Sequence, residues 1–182
     1  MSYEYDVGTI AVTGQRPKSL GLKSFDPKHP VWLDAYDYVQ RNIYYYGASR
    51  LISGGALGFD MIAAKAAVDS GIELELALPF EGYNKWGAKD RARIAWLTMR
   101  SHTVNYICDP GYAVWKYQTR NEYMVDNADY VLALWNGSPG GTKNCLDYAK
   151  KVGVGYHVHH PFGLEVLRPE TLSKQDLVSQ EI

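Results

Sequence analysis

Short apolar runs alternate with longer amphipathic segments along the whole chain, and this alternation restricts the fold more than any other feature. The apolar runs predict strands at residues 7–12, 50–53, 72–78, 103–107, 130–135 and 155–159. Apolar residues at helical spacing predict helices at residues 31–46, 58–70, 86–99, 114–127 and 142–152. Strands that alternate with helices indicate a parallel sheet covered on both faces. The expected fold class is therefore α/β, a Rossmann-like three-layer α/β/α domain with a mainly parallel sheet.

Length and charge narrow the class of protein further. The 182 residues fit one domain, which we expect at residues 1–166, followed by a polar tail at residues 167–182. The formal net charge of −1 provides no broad basic surface, so stable nucleic-acid binding is not expected. The fifteen tyrosines and five tryptophans favour either an aromatic-lined ligand site or a subunit interface, and thus a possible homo-oligomer.

The compartment is predicted from what the sequence lacks. No apolar run approaches the ~20 residues of a membrane span, and the first residues do not resemble a signal peptide. The two cysteines, Cys108 and Cys145, form no CxxC pattern and are expected to be buried free thiols. We therefore expect a cytoplasmic protein without a membrane partner.

The loop after the first strand is the first of three candidate ligand loops. In open α/β sheets, ligands bind beyond the carboxyl ends of the strands. Here Gly14 lets the backbone approach a ligand, Thr13 offers a hydroxyl group, and Arg16 offers a forked cation suited to phosphate. The alternative is a simple turn with a solvated arginine.

The second loop, residues 53–60, contains Ser53, Gly54, Gly55 and Asp60 and leads into an alanine-rich helix. Its glycines are expected to bring backbone N–H groups together at a helix N-terminus, where an anion binds favourably. It is neither a Walker A loop nor a GxGxxG motif, so no particular cofactor is indicated. Asp60 either caps the helix or accepts hydrogen bonds from ligand hydroxyl groups.

The third loop repeats the second pattern after the fifth strand. Gly140, Gly141 and Thr142 open a helix and offer free N–H donors together with a hydroxyl group. Two such loops at one sheet edge favour a phosphate-bearing, nucleotide-type ligand more than either loop alone.

Three further residues are candidates for ligand contacts. Arg120 could pair with a ligand phosphate, although a surface charge bonded along its own helix is equally expected. Tyr83 and Trp86 follow the third strand and could stack on a base; the alternative is a hydrophobic plug.

Catalytic and metal-binding residues are weakly indicated. Glu81, Asp126 and Asp129 are the candidates for acid–base chemistry, yet such carboxylates more often cap helices or hold turns. The histidines at positions 157, 159 and 160 lack further converging ligands, so no metal is expected.

Several segments, taken in chain order, resemble the YpsA-like branch of the SLOG superfamily. They are Thr13–Pro17, Ser53–Asp60, Pro79-Phe80, Arg120-Asn121 with Met124–Asp126, and Gly140–Thr142. That superfamily joins the DNA-uptake protein DprA and the LOG-type phosphoribohydrolases. The resemblance implies binding of a nucleotide-derived ligand, such as an ADP-ribose-like or cyclic species. By position it assigns ligand contacts to Gly14, Arg16, Ser53, Gly54, Gly55, Asp60, Arg120, Gly141 and Thr142.

One departure from the resemblance bears on activity. LOG-type enzymes carry a glutamate shortly after their Gly-Gly-x-Gly-Thr loop, whereas Lys143 and Asn144 follow Thr142 here. An amide does not exchange a proton as a carboxylate does near neutral pH. The expected function is therefore binding, sensing or sequestering of the ligand. The alternative is an enzyme that cleaves or transfers at an N-glycosidic bond. Such an enzyme would need a carboxylate in the pocket, for which Asp60 is a candidate beside Glu81, Asp126 and Asp129.

Overall fold

A computed structural model describes residues 7–162, so the predicted tail at residues 167–182 lies outside the described part of the chain. Six strands form one sheet in the order β4-β3-β2-β1-β5-β6, and every neighbouring pair is parallel. The strands are β1 (Thr9–Gly14), β2 (Arg50–Ser53), β3 (Glu73–Leu78), β4 (Thr103–Tyr106), β5 (Tyr130–Leu134) and β6 (Gly155–His159). The predicted parallel α/β sheet is confirmed.

Five α-helices cover the two faces of this sheet in the described residues. They are α1 (Pro30–Tyr46), α2 (Phe59–Ser70), α3 (Ala88–Arg100), α4 (Val114–Asp126) and α5 (Gly141–Val152). Helix α2 packs between α1 and α3, while α4 packs on α5. Each helix layer closes its own hydrophobic core against the sheet, so the architecture is the expected three-layer Rossmann-like sandwich.

The central strands are apolar throughout because both of their faces are covered. Every residue of β5 is buried, and β1 is buried from Ile10 to Thr13. Helix α1 begins where Pro30 fixes the first turn and the His29 ring nitrogen accepts a hydrogen bond from the Val31 N–H, at 3.2 Å. No helix within residues 7–162 is both long and apolar enough to span a membrane.

Two of the differences from the sequence prediction lie at the first loop. A 3-10 helix at Pro17–Leu20, which the sequence pattern did not predict, follows the first loop because Pro17 occupies its first position. Strand β1 extends to Gly14 rather than ending at residue 12, because Gly14 pairs in register with Leu134 of β5.

The direction in which successive strands are added to the sheet reverses at β1, while all strands stay parallel. Strands β2, β3 and β4 follow one another on one side of β1, whereas β5 and β6 lie on the other side. The boundary between β1 and β5 is therefore the topological switch point, where the loops leaving the two strands part to form a crevice.

Candidate ligand-binding site

A polar cavity of about 170 Å³ occupies this switch point at the carboxyl edge of the sheet. The loops after β1 and β5 form two of its walls, and α4 forms the third. Eight predicted ligand residues line the cavity: Thr13, Gly14, Arg16, Asp60, Arg120, Gly140, Gly141 and Thr142.

The N-terminus of α5 opens directly into the cavity. Its N-cap residue, Gly140, supplies no side-chain cap and has a φ of 143°, which a residue with a side chain rarely adopts. The first N–H groups of a helix have no carbonyl partner within that helix, and the helix dipole adds partial positive charge there. Asn121 steadies this turn from α4 through a 3.4 Å hydrogen bond to the Gly141 carbonyl. This helix end is therefore suited to binding an anion.

Three backbone N–H groups of the loop at residues 53–60 donate hydrogen bonds to acceptors of the protein itself. The Ser53 hydroxyl accepts from the Gly55 N–H at 3.3 Å, and the Asp60 carboxylate accepts from the Ala56 N–H at 3.2 Å. The Phe59 N–H donates to the Gln15 carbonyl at 3.3 Å. The structure thus differs from the predicted anion cradle, because these donors already have partners. Ser53, Gly54 and Gly55 do not line the cavity.

The glycine at position 54 instead makes room for Arg120. A Cβ atom on Gly54 would lie 2.6 Å from the Arg120 Cζ and 2.8 Å from an Asp60 carboxylate oxygen. Arg120 donates through Nη1 to the Gly54 carbonyl and through Nε to the Asn121 side chain. No hydrogen bond described for residues 7–162 uses the remaining nitrogen, Nη2, so this nitrogen is available to a ligand. Arg120 is thus a buried cation in the cavity wall, not a surface charge.

Charge in the cavity comes from two arginines and one carboxylate. Burial raises the pKa of Asp60, and the nearby Arg120 guanidinium acts against this shift. Burial likewise lowers the pKa of Arg120, an effect that Asp60 opposes. Arg16 is exposed at the cavity mouth, with its Cζ 5.5 Å from the centre of the Tyr117 ring. Arg16 and the α5 N-terminus therefore add positive potential that the Asp60 carboxylate does not balance.

Gln15 is a cavity residue that the sequence analysis did not single out. Its Nε2 donates to Asn136 Oδ1 at 2.6 Å and to Ser138 Oγ at 3.0 Å. The Ser138 N–H also donates to Asn136 Oδ1, at 3.0 Å, which fixes the orientation of both amides. The Gln15 Oε1 consequently remains a buried acceptor without a partner in the described residues. Only its place after Gly14 in the first loop could have marked it.

The structure does not bring Tyr83 and Trp86 into this cavity. The Tyr83 hydroxyl donates to the Gly55 carbonyl at 2.8 Å, beneath the second loop. Trp86 contacts Tyr83 edge to face, with ring centres 5.4 Å apart. Both aromatic residues pack against the hydrophobic core, as the hydrophobic-plug alternative expected. Among the described residues, the aromatic side chains that line the cavity are those of Tyr117, in the first turn of α4, and of the buried Trp135, directly after β5.

The three weak catalytic candidates lie away from the cavity. Glu81 borders a separate depression beside Tyr112. Asp126 accepts a 2.8 Å hydrogen bond from the Tyr148 hydroxyl. Asp129 accepts from the Thr9 N–H at 2.8 Å, at the amino edge of the sheet. Asp60 is consequently the only carboxylate among the residues that line the cavity.

Other residues raised by the sequence also have structural partners. His159 lies 2.7 Å from the Asp34 carboxylate, and the His157 ring lies 2.8 Å from the Tyr38 hydroxyl, so both histidines connect β6 to α1. Cys145 is buried as expected, whereas Cys108 is only half-buried.

The fold and the cavity define a Rossmann-like α/β protein with a polar site at the switch point of its sheet. The chain belongs to the YspA SLOG family, whose family model matches residues 10–172. The SLOG resemblance seen in the sequence is therefore confirmed.

Three comparisons show the range of similar proteins. The chain is 31% identical over 140 residues to the SPbeta prophage-derived protein YoqJ of Bacillus subtilis (strain 168), covering 64% of this chain and 80% of YoqJ. DNA processing protein A from Streptococcus pneumoniae has a similar fold, with a TM-score of 0.63 at 16% identity; the match covers 96% of this chain but only 56% of that protein. The molybdenum cofactor binding protein from Rippkaea orientalis matches with a TM-score of 0.55 at 18% identity, over 96% of this chain and 81% of that one.

Proposed function

We propose that the protein binds a small phosphate-bearing, nucleotide-derived ligand, such as an ADP-ribose-like or cyclic nucleotide species, in the cavity between the β1 and β5 loops. The observation that carries this proposal is the convergence of an uncapped helix N-terminus with Arg16 and Arg120 in one polar cavity. Backbone N–H groups and guanidinium groups are the donors that proteins use for phosphate. Membership of the SLOG family supports a ligand-binding role.

Each group would contribute differently to the bound state. The first N–H groups of α5 would hold the phosphate oxygens, and the Thr142 hydroxyl would add a further donor. Arg16 would close over the phosphate from the cavity mouth, where its guanidinium is exposed above the Tyr117 ring. The buried Arg120 would supply fixed charge, since its guanidinium is held by Gly54 and Asn121.

Calorimetric titration with AMP, ADP-ribose, NAD and a cyclic dinucleotide tests this proposal. Replacing Arg16 by alanine should weaken binding of the best ligand at least tenfold, because a charge-assisted hydrogen bond contributes about 1.5–3 kcal/mol. Lys18→Ala is the matched control, since Lys18 is also exposed beside the loop but does not line the cavity. A flat response of the wild type to all four compounds would refute the proposal.

Asp60 favours a second candidate function, cleavage or transfer at an N-glycosidic bond. It is a buried carboxyl group in the cavity, and its burial shifts its pKa upward, the direction that general-acid catalysis requires. The expected evidence is chromatographic detection of free base from a nucleoside monophosphate, abolished in Asp60→Asn. Binding of the nucleotide without release of base would leave only the binding function.

Three expectations from the sequence stay predictions. They are a cytoplasmic location, self-association, and the absence of stable nucleic-acid binding. A similar fold occurs in DNA processing protein A from Helicobacter pylori, whose solved structure concerns single-stranded DNA binding. At 17% identity this similarity is evidence about the fold alone. Light scattering after size exclusion tests self-association, and a filter assay with a single-stranded oligonucleotide tests nucleic-acid binding.

A further inference from the structure

The cavity is too small to enclose a whole nucleotide. Its volume of about 170 Å³ is below the ~300–1,000 Å³ of typical ligand pockets. A phosphate group and part of a sugar fill such a space, so a base attached to them has to lie outside, at the rim. The surface beside the rim therefore decides what the rest of the ligand can be.

Aromatic rings cluster beside the α4 wall of the cavity. Tyr117 lines the cavity, and Phe80 and Tyr112 contact its ring edge to face, with centre separations of 5.9 Å and 6.3 Å. We call these three residues the aromatic platform. Phe80 is the buried member of the platform, whereas Tyr112 is 74% exposed. The platform thus runs from the cavity wall out to the surface.

A buried lysine holds the outer part of the platform in place. The Lys116 Nζ donates to the carbonyl oxygens of Asp109, Pro110 and Gly111 at 2.6, 3.3 and 2.7 Å. These carbonyls belong to the segment immediately before Tyr112, and charge-assisted bonds of this kind are the strong ones. A large ring kept exposed on a fixed segment is preorganised for a partner, because little conformational entropy is lost on contact.

Arg16 completes the surface from the opposite side. Its guanidinium lies over the Tyr117 ring, with a separation of 5.5 Å between the Cζ and the ring centre, so a cation and an aromatic face meet at the cavity mouth. Arginine stacks on planar groups as well as pairing with phosphate. The mouth therefore presents donors for an anion and flat faces for an aromatic ring side by side.

We propose that Tyr117 and Tyr112, with Arg16, form a base-binding subsite that continues the phosphate cavity. This inference rests on the proposed function and assigns particular residues to the planar heteroaromatic base of its ligand. The subsite lies on α4 and the segment before it, not at Tyr83 and Trp86, which are partly buried against the hydrophobic core and do not line the cavity.

The test compares AMP with ribose 5-phosphate, which share a phosphorylated ribose but differ in the base. Stacking of a base on an aromatic side chain contributes about 1–3 kcal/mol, so the wild type should bind AMP about 5- to 150-fold more tightly than ribose 5-phosphate. Tyr112→Ala and Tyr117→Leu should both reduce this preference severalfold. Tyr112→Ala should also leave the affinity for ribose 5-phosphate unchanged, because Tyr112 does not line the cavity. Tyr117→Phe should retain the preference, because phenylalanine keeps the ring. Tyr44→Ala is the control, since Tyr44 is a comparably exposed tyrosine on α1.

The possible outcomes separate this inference from the proposed function. Equal affinities of the wild type for both compounds would overturn the base-binding subsite while the phosphate site stands. The same holds if Tyr112→Ala and Tyr117→Leu both keep the full preference for AMP. Both proposals would be overturned if the wild type bound neither AMP nor ribose 5-phosphate and no other compound of the nucleotide panel.

Discussion

Substituting Gly54 by alanine is the sharpest test of the site's architecture, because the new methyl group would collide with two buried charged side chains. The Cβ would lie 2.6 Å from the Arg120 Cζ and 2.8 Å from the Asp60 Oδ2, whereas ordinary contacts begin at 3.4 Å. Arg120 is only 4% exposed and is held by hydrogen bonds, so it can move away from the new methyl group only toward the cavity and only by breaking those bonds. We therefore expect the hydrogen bond between Arg120 and the Gly54 carbonyl to break.

The cost follows from two contributions. Overpacking a core costs about 1–3 kcal/mol, and losing a hydrogen bond to a charged group costs about 1.5–3 kcal/mol. The free energy of unfolding should thus fall by about 3–5 kcal/mol, and the thermal midpoint should fall by roughly 10 °C for a domain of this size. Circular dichroism during thermal and urea unfolding measures both quantities.

Gly141→Ala is the matched control for this substitution. No atom lies within 4 Å of a Cβ built on Gly141, and its φ lies outside the left-handed region, so its stability should change by less than about 0.5 kcal/mol. The double variant Gly54→Ala with Arg120→Ala should be less destabilised than the sum of the single variants, because removing the guanidinium removes the collision. A midpoint for Gly54→Ala within 2 °C of the wild type would refute the assigned packing of Arg120.

Three further predictions concern single groups. Burial raises the pKa of Asp60 above its unfolded value, so the stability of the wild type relative to Asp60→Asn should fall as pH rises from about 4 through the folded pKa. Urea unfolding across pH measures this difference, and parallel pH profiles would contradict it. Burial also raises the pKa of Cys145 to about 12, so a thiol reagent should label one cysteine, Cys108, in the native protein and two after unfolding. Tyr83→Phe removes the hydrogen bond to the Gly55 carbonyl and should lower the free energy of unfolding by about 1 kcal/mol, measured in urea; an unchanged value would show that this bond contributes nothing.

The elements were predictable because their signals are local. Helix α1 has a clear helical hydrophobic period and strand β5 is a continuous apolar run, and their bounds agree with the prediction within one residue. The strand order was not predictable in the same way, because pairing between β1 and β5 joins residues about 120 positions apart. Periodicity contains no information about that separation.

The site was only partly predictable, for a different reason. Adjacent glycines are required both where backbone N–H groups surround an anion and where a side chain approaches the backbone closely. The sequence cannot separate these two uses, and at Gly54 the structure shows the second. The same limit applies to the aromatic residues, because Tyr83 and Tyr117 both follow strands that end at the cavity edge. Only the packing of α4 brings Tyr117 into the cavity wall.

The amino edge of the sheet lies opposite the cavity loops and is connected by other segments of the chain. Asp129 accepts a hydrogen bond from the Thr9 N–H there, and the short turns at Gly71 and Gly153 lead into β3 and β6 with open space around both glycines. Exposed turns of this kind accept inserted sequence well. A fluorescent reporter inserted at Gly153 would therefore lie on the opposite side of the molecule from the candidate site, so the protein could be labelled there without altering the cavity loops.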